Sequence, residues 1–316
     1  MLFVANSLYG FIDSMKSASQ LQASAANLQV GARLALVGLV VNIAFAIIKI
    51  VGGIFGHAYA LTADGAQSAL DVAGSIMIWG GLRFAARPPD ATHPYGHGKA
   101  EPLTAIFVAF GVILAAVALA VQSTRTLFSP HSAPAPFTLL ILLMVVIVKE
   151  TLFRYVLRFG RSVESLAIEA DAWRHRADVL SSIAAFVGIS IALIGGEKWR
   201  SADNWAAIFV CLIIASIGVR LFRPALYEIL DTAPAGEIAD RIRNAAASVP
   251  GVIGIDKCVV RKMGLDFYVD LHIEVDGWIS VYEGHRIAHD VKHAIQETDP
   301  RIADVLVYIE PAKKNL

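Results

Sequence analysis

Two eight-residue stretches in strongly apolar surroundings carry acids at matching positions: DGAQSALD, from Asp64 to Asp71, and DAWRHRAD, from Asp171 to Asp178. At about 100° per residue, Asp64, Gln67, Ser68 and Asp71 share one helix face, and Asp171, Arg174, His175 and Asp178 share the equivalent face of a second helix. A central Asp costs roughly 2.5–3.5 kcal/mol in a bilayer, so four facing lipid would cost on the order of 10 kcal/mol. They must face each other, water or an ion, and the chemistry this permits is the movement of a cation. Arg176 points about 160° away from Asp178, which makes it a headgroup or interhelix contact instead.

Donor chemistry narrows the cation. Gln67 offers a carbonyl oxygen, suited to hard or intermediate ions. Arg174 offers nothing, because a guanidinium stays protonated and has no free lone pair. A unit positive charge about 4 Å from a divalent ion is repelled by roughly 8 kcal/mol at an effective dielectric of about 20. That equals about the whole of a micromolar affinity. Three arrangements follow. Arg174 swings away to pair with Asp171 or snorkels, while His175 supplies a nitrogen ligand at i, i+3 to Asp178. Alternatively, Arg174 replaces the ion as a permanent bridge between Asp71 and Asp178. Otherwise the substrate is not a divalent metal. Two further groups hold metal-type donors. Asp90, His93 and His97 lie at i, i+3, i+7 in PPDATHPYGHGK, and His with carboxylate suits zinc-like or other transition metals. His285, His289 and His293 repeat every four residues, the pattern of a polar helix face.

These residues need a frame, and composition supplies one. Of 316 residues, 56% are hydrophobic and only 17% charged, with mean hydropathy +0.59; a soluble protein is about 25% charged. Net charge is zero, which removes any global electrostatic argument for nucleic acid. The two cysteines, one in an apolar run and one in the polar tail, imply no disulfide framework. A membrane-crossing helix needs about 20 apolar residues, and six segments qualify: 33–54, 58–84, 102–128, 137–157, 165–194 and 203–222. Turn signals separate them at Gly56-His57, Pro88-Pro89, residues 129–136 and Gly195-Gly196. Arg33, Arg83, Arg87, Lys99, Arg154, Arg158, Arg161, Arg220 and Arg223 gather at one set of ends, which places both termini in the cytoplasm. Residues 1–30 have no basic start followed by a cleavage site and read as a cytoplasmic amphipathic lead-in.

The texture changes after Pro224. Residues 236–248 read as an amphipathic helix, 252–264 and 265–277 as strands joined at Gly264, 280–298 as a helix with Ser280 as its cap, and 302–311 as a last strand. Helices on one face of a three-stranded sheet are the expected packing of this α-β-β-α-β order. The fold class is thus an α-helical membrane protein with six transmembrane helices (31–224) and a small α+β, ferredoxin-like cytoplasmic C-terminal domain (225–316). An enzyme is excluded on motifs: there is no nucleophile–base pair or phosphate loop, and GHGK (96–99) is too short to be one.

HPYGHGKAEP (93–102), the two acidic motifs, VDLHIEV, GHRIAH and VYIEP together resemble the cation diffusion facilitator family of divalent-metal transporters, over about residues 31–312. The resemblance implies a homodimer in the cell (inner) membrane that exchanges a cytoplasmic divalent cation for protons. No cofactor is implied beyond the metal itself, as substrate and at loop and tail sites. By position it implies a transport site of Gln67, Asp71, Arg174 and Asp178, where Gln67 and Arg174 stand in place of the family's usual first ligands. It implies a loop site at Asp90, His93 and His97, tail ligands His272 and His285, and a charge pair between Lys99 and Asp231 at the dimer seam. In the tail, Tyr308 stands where the family usually brings another His, with Glu310 nearby. Asp64 and Asp171 are hydrated outer groups or modulators of the site. Besides a metal exporter, the residues leave open a scaffold retuned for a monovalent or organic cation, and a non-transporting metal sensor.

Overall fold

The computed structural model describes the backbone of residues 2–55, 59–126, 137–195, 200–234 and 237–312. The side chains of residues 2–20, 59–64, 66, 67, 70, 126, 138, 189, 192–195 and 200–207 fall outside the description. The expected turns at 56–57, 129–136 and 196 therefore lie outside the described residues, as do the side chains of Asp64, Gln67 and most of the N-terminal lead-in.

Six long helices come first: α1 (Leu2–Phe55), α2 (Tyr59–Ala85), α3 (Ala100–Thr126), α4 (Phe137–Ser162), α5 (Leu166–Gly195) and α6 (Arg200–Ile229). They are followed by α7 (Ile238–Ala247), β1 (Gly254–Met263), β2 (Asp266–Val275), α8 (Val281–Gln296) and β3 (Ile302–Pro311). The chain divides into two compact units: residues 28–85 with 100–226, and residues 1–27 with 86–99 and 227–316.

In the helical unit, α5 packs against α2, α3 and α4. Its usual polarity is inverted: Val40, Ile47, Leu114, Phe209 and Leu212 are exposed, while Asn42, Lys49, Ser75, Lys149, Asp171, Arg174, His175 and Asp178 are buried. In water this arrangement would be costly twice over; in lipid it is what backbone and charge satisfaction demand. Among the described residues, three helices are long and apolar enough to cross a membrane by composition: Leu21–Phe55, Ala100–Arg125 and Ile208–Ile229. The other three long helices carry Asp71, Lys149, Asp171 and Asp178 in their interiors. The start of α5 is fixed by Ser165, whose hydroxyl accepts from Ile168 N, and by buried Glu101 of α3. One Glu101 oxygen accepts from Ser165 Oγ at 2.6 Å and from Ala167 N at 2.7 Å, satisfying a donor that the helix end leaves open.

In the second unit, the sheet order is β1-β2-β3, with β1 antiparallel and β3 parallel to β2. A parallel pair needs a crossover, and α8 supplies it. Ser280 caps α8 by accepting from Glu283 N at 3.1 Å. Strand β2 alternates: Phe267, Val269, Leu271, Ile273 and Val275 face the core with Ile242 of α7 and Ile287, Val291 and Ile295 of α8. Its other face presents Tyr268, Asp270, His272 and Glu274. The β1–β2 turn uses Gly264 at φ +68°, a backbone shape a side chain resists, and any Cβ there would lie 2.9 Å from the Gly98 carbonyl oxygen.

Candidate cation site

Asp71 and Ser75 stand one turn apart on α2, opposite Asp171, Arg174 and Asp178 of α5. The Arg174 guanidinium donates to Asp171 Oδ1 at 2.7 Å and to Ser75 Oγ at 2.9 Å. It also lies 3.4 Å from the Asp71 carbonyl oxygen and 3.7 Å from Asp71 Oδ1. Ser75 Oγ accepts in turn from Asn42 Nδ2 at 2.9 Å. Asn42 Oδ1 takes a close hydrogen bond from Lys149 Nζ, and that ammonium donates to Asp178 Oδ2 at 2.6 Å. A single line of polar contacts therefore runs from Asp71 through Arg174, Ser75, Asn42 and Lys149 to Asp178, drawing on α1, α2, α4 and α5. Nearby, Lys49 Nζ donates to Ser68 Oγ at 3.0 Å.

Arg174 is held by Asp171 and Asp71, and the Asp178 carboxylate is taken by Lys149. His175 is fully buried, and neither of its ring nitrogens has a hydrogen-bond partner among the described residues. Its Nε2 lies 3.7 Å from Asp171 Oδ1. Gly38 on α1 makes room for that ring, since a Cβ there would sit 3.1 Å from Nε2. Arg176 leaves this face altogether and bonds Glu150 of α4, with its guanidinium 5.2 Å from the Phe153 ring centroid. Sequence reasoning missed Lys149, Lys49, Asn42 and Ser75. The first two carried a signal, because a lysine inside an apolar run needs a partner as much as an aspartate does.

In the other unit, the loop donors converge. Asp90, His93 and His97 hold ligand atoms within 4.8 Å of one another. His93 Nδ1 lies 3.2 Å from Asp90 Oδ1, and His97 Nε2 lies 3.5 Å from Asp90 Oδ2. Hydrogen bonds from the Thr92 hydroxyl and the His93 backbone hold the Asp90 carboxyl well below the usual carboxylate range. A preformed, ionised acid beside two imidazoles fits a transition metal.

The tail gathers a second set: Asp256, His272 and Glu310, again within 4.8 Å. His272 Nδ1 lies 2.6 Å from Glu310 Oε1, and the His272 ring stacks on Tyr308 at 4.7 Å between centroids. A register shift between Ile255 and Lys257 takes Asp256 out of the pairing sequence of β1. No periodicity in the sequence marks that irregularity. His285 belongs to neither group and lies edge-on to His289, with centroids 4.6 Å apart. Lys99 Nζ lies 2.6 Å from Asp231 Oδ1 within one chain and donates to the Glu228 carbonyl oxygen at 2.6 Å.

An apolar helical exterior around buried charges, followed by a polar sheet domain, defines a multi-pass membrane protein with a soluble tail. Comparison with known proteins is specific. Residues 35–230 match the cation efflux transmembrane domain, and residues 234–312 match the cytoplasmic domain of cation efflux proteins. The chain belongs to the cation diffusion facilitator family, which comprises metal transporters and not enzymes. It is 29% identical to the manganese efflux system protein MneP of Bacillus subtilis, over 90% of this chain and 97% of that one. It is also 29% identical to the magnetosome protein MamB of Magnetospira sp., over 86% and 92% of the two chains. A cadmium form of the MamM C-terminal domain is 32% identical over 24% of this chain and 95% of its own, with a TM-score of 0.24.

Proposed function

We propose that the chain exports a divalent metal cation of the manganese, iron or zinc class from the cytoplasm in exchange for protons. It works as a homodimer of six-span protomers in the cell (inner) membrane, with both termini cytoplasmic. The observation that carries this reading is the buried polar line whose two ends are the carboxylates of Asp71 and Asp178. Paired acids on facing helices, enclosed by apolar walls, are suited to a hard or intermediate cation. Gln67 as a further oxygen donor, and the name of MneP, favour manganese or iron(II) over zinc. Ligands must be deprotonated to hold a metal, so a proton carried by a site carboxylate leaves when the metal binds, which would couple metal movement to proton movement. The loop set Asp90, His93 and His97, and the tail set with His272, would hold additional metal on the cytoplasmic side.

Manganese uptake into inverted proteoliposomes, read together with an internal pH dye, tests the proposal. Asp71→Ala and Asp178→Ala should each abolish uptake and the accompanying proton flux; unchanged uptake would sink the assignment. One observation favours a second reading. Three basic side chains, Lys49, Lys149 and Arg174, stand among Asp71, Asp171 and Asp178 and leave less net negative charge for a divalent ion. A site retuned for a monovalent cation would have that balance. Arg174→His separates the two: a gain of zinc or cobalt transport indicates a metal site diverted by its arginine.

A further inference from the structure

Lys149 plays no part in the ligand set, yet it occupies the position a substrate cation would claim. Its ammonium is fully buried on α4, 2.6 Å from Asp178 Oδ2, and a second close bond that it donates to Asn42 Oδ1 of α1 fixes it there. The residue is aimed by two partners from two other helices, which is more than a snorkelling lysine requires. We infer that Lys149 is a tethered cation that competes with the transported ion for Asp178 and thereby sets the affinity and selectivity of the site. This rests on the reading of Asp71 and Asp178 as the transport site.

The physical consequence is directional. A carboxylate neutralised by a resident ammonium has little attraction left for an incoming ion, and an ion beside that ammonium is repelled. A divalent metal must therefore displace Lys149 from Asp178, and only an ion that binds the oxygens strongly enough will do so. Weakly coordinating cations are excluded, and a bound metal meets a standing competitor that drives its release. The line through Asn42, Ser75 and Arg174 gives the displaced ammonium a route to disturb Asp71 as well. Lys149 is in this sense a specificity-determining residue that touches no metal.

Removing the charge should tighten binding, the reverse of what loss of a structural group does. The full-length protein in detergent is titrated with manganese(II) chloride, and the component lost in Asp178→Asn is taken as the intramembrane site. Lys149→Gln should bind manganese at least tenfold more tightly at that component, while Lys149→Arg, which keeps the charge, stays close to the original affinity. Magnesium should compete with manganese more effectively in Lys149→Gln than in the original protein. Asn42→Ala keeps the lysine but loosens it, so affinity rises severalfold; this variant decides the matter if Lys149→Gln does not fold. Equal or weaker binding in folded Lys149→Gln, or in Asn42→Ala when it alone folds, overturns the role of the lysine and leaves the transport site standing. A titration in which Asp178→Asn removes no component from any of the proteins overturns the transport site itself.

Discussion

Asp171 decides where the buried Arg174 guanidinium points. Arg174 donates to Asp171 at 2.7 Å and to Ser75 at 2.9 Å, and its approach to Asp71 is looser, at 3.7 Å. Neutralising Asp171 would release the guanidinium toward the remaining carboxylates, where a divalent ion would meet roughly 8 kcal/mol of repulsion at an effective dielectric of about 20. Asp171→Asn should therefore cut manganese uptake at least tenfold in folded protein, and adding Arg174→His should restore it. Uptake that survives Asp171→Asn intact would show that the arginine is held away by something else. At this scale the acids were legible in the sequence, because a carboxylate in an apolar run states its own need for a partner. Lys149 stated the same need, but a search for metal ligands passes over a side chain with no lone pair. Its partner Asp178 is 29 residues away on another helix. Which acid Arg174 would choose was likewise open, since Asp171 and the two site carboxylates are all within reach by spacing alone.

At the scale of elements, Glu101 matters because it sets the start of the helix that carries Asp171, Arg174, His175 and Asp178. Its carboxylate reaches from α3 to Ser165 and the Ala167 amide, a buried charge-assisted cap. Glu101→Ala leaves those donors unsatisfied, at about 1–3 kcal/mol, and lets the first turn of α5 fray. Thermal denaturation of the purified protein should move down by several degrees, and manganese uptake should fall although no ligand has been touched. An unchanged melting curve would mean that solvent or lipid caps α5 as well as Glu101 does. The elements themselves were readable. The segment expected at 165–194 became α5 at Leu166–Gly195, and the strand expected at 302–311 became β3 at Ile302–Pro311. Periodicity and turn residues are local, so they survive translation into structure. The segment expected to end at 222 runs on to Ile229 through Pro224, since a proline removes one donor without stopping a helix that is packed elsewhere. The bulge that sets Asp256 beside His272 had no such local mark and emerged only from strand pairing.

At the scale of the whole chain, a side-chain hydrogen bond that spans most of the sequence is also among the least legible. Ser24 Oγ donates to Asp266 Oδ1 at 2.5 Å across 242 residues of sequence, tying α1 to the start of β2 within one compact unit. Burial pushes the Asp266 carboxyl up from 3.8 to about 6, against the pull of the Ser24 hydroxyl and of Lys262. The folded chain therefore holds this proton more tightly than the unfolded chain does. The stability that Asp266 contributes is complete below about pH 4, declines as pH rises toward about 6, and is gone above that. The span sets an upper bound of about 3 kcal/mol, and partial hydration makes the realised value smaller. Asp266→Asn keeps the shape and loses the titration. The difference in melting temperature between the original protein and Asp266→Asn should thus shift in favour of the variant as the buffer moves from about pH 4.5 to about pH 7. Titrations elsewhere in the chain cancel in that difference. Parallel curves across the window would show that Asp266 is solvated, and that the Ser24 contact does not close over it in solution.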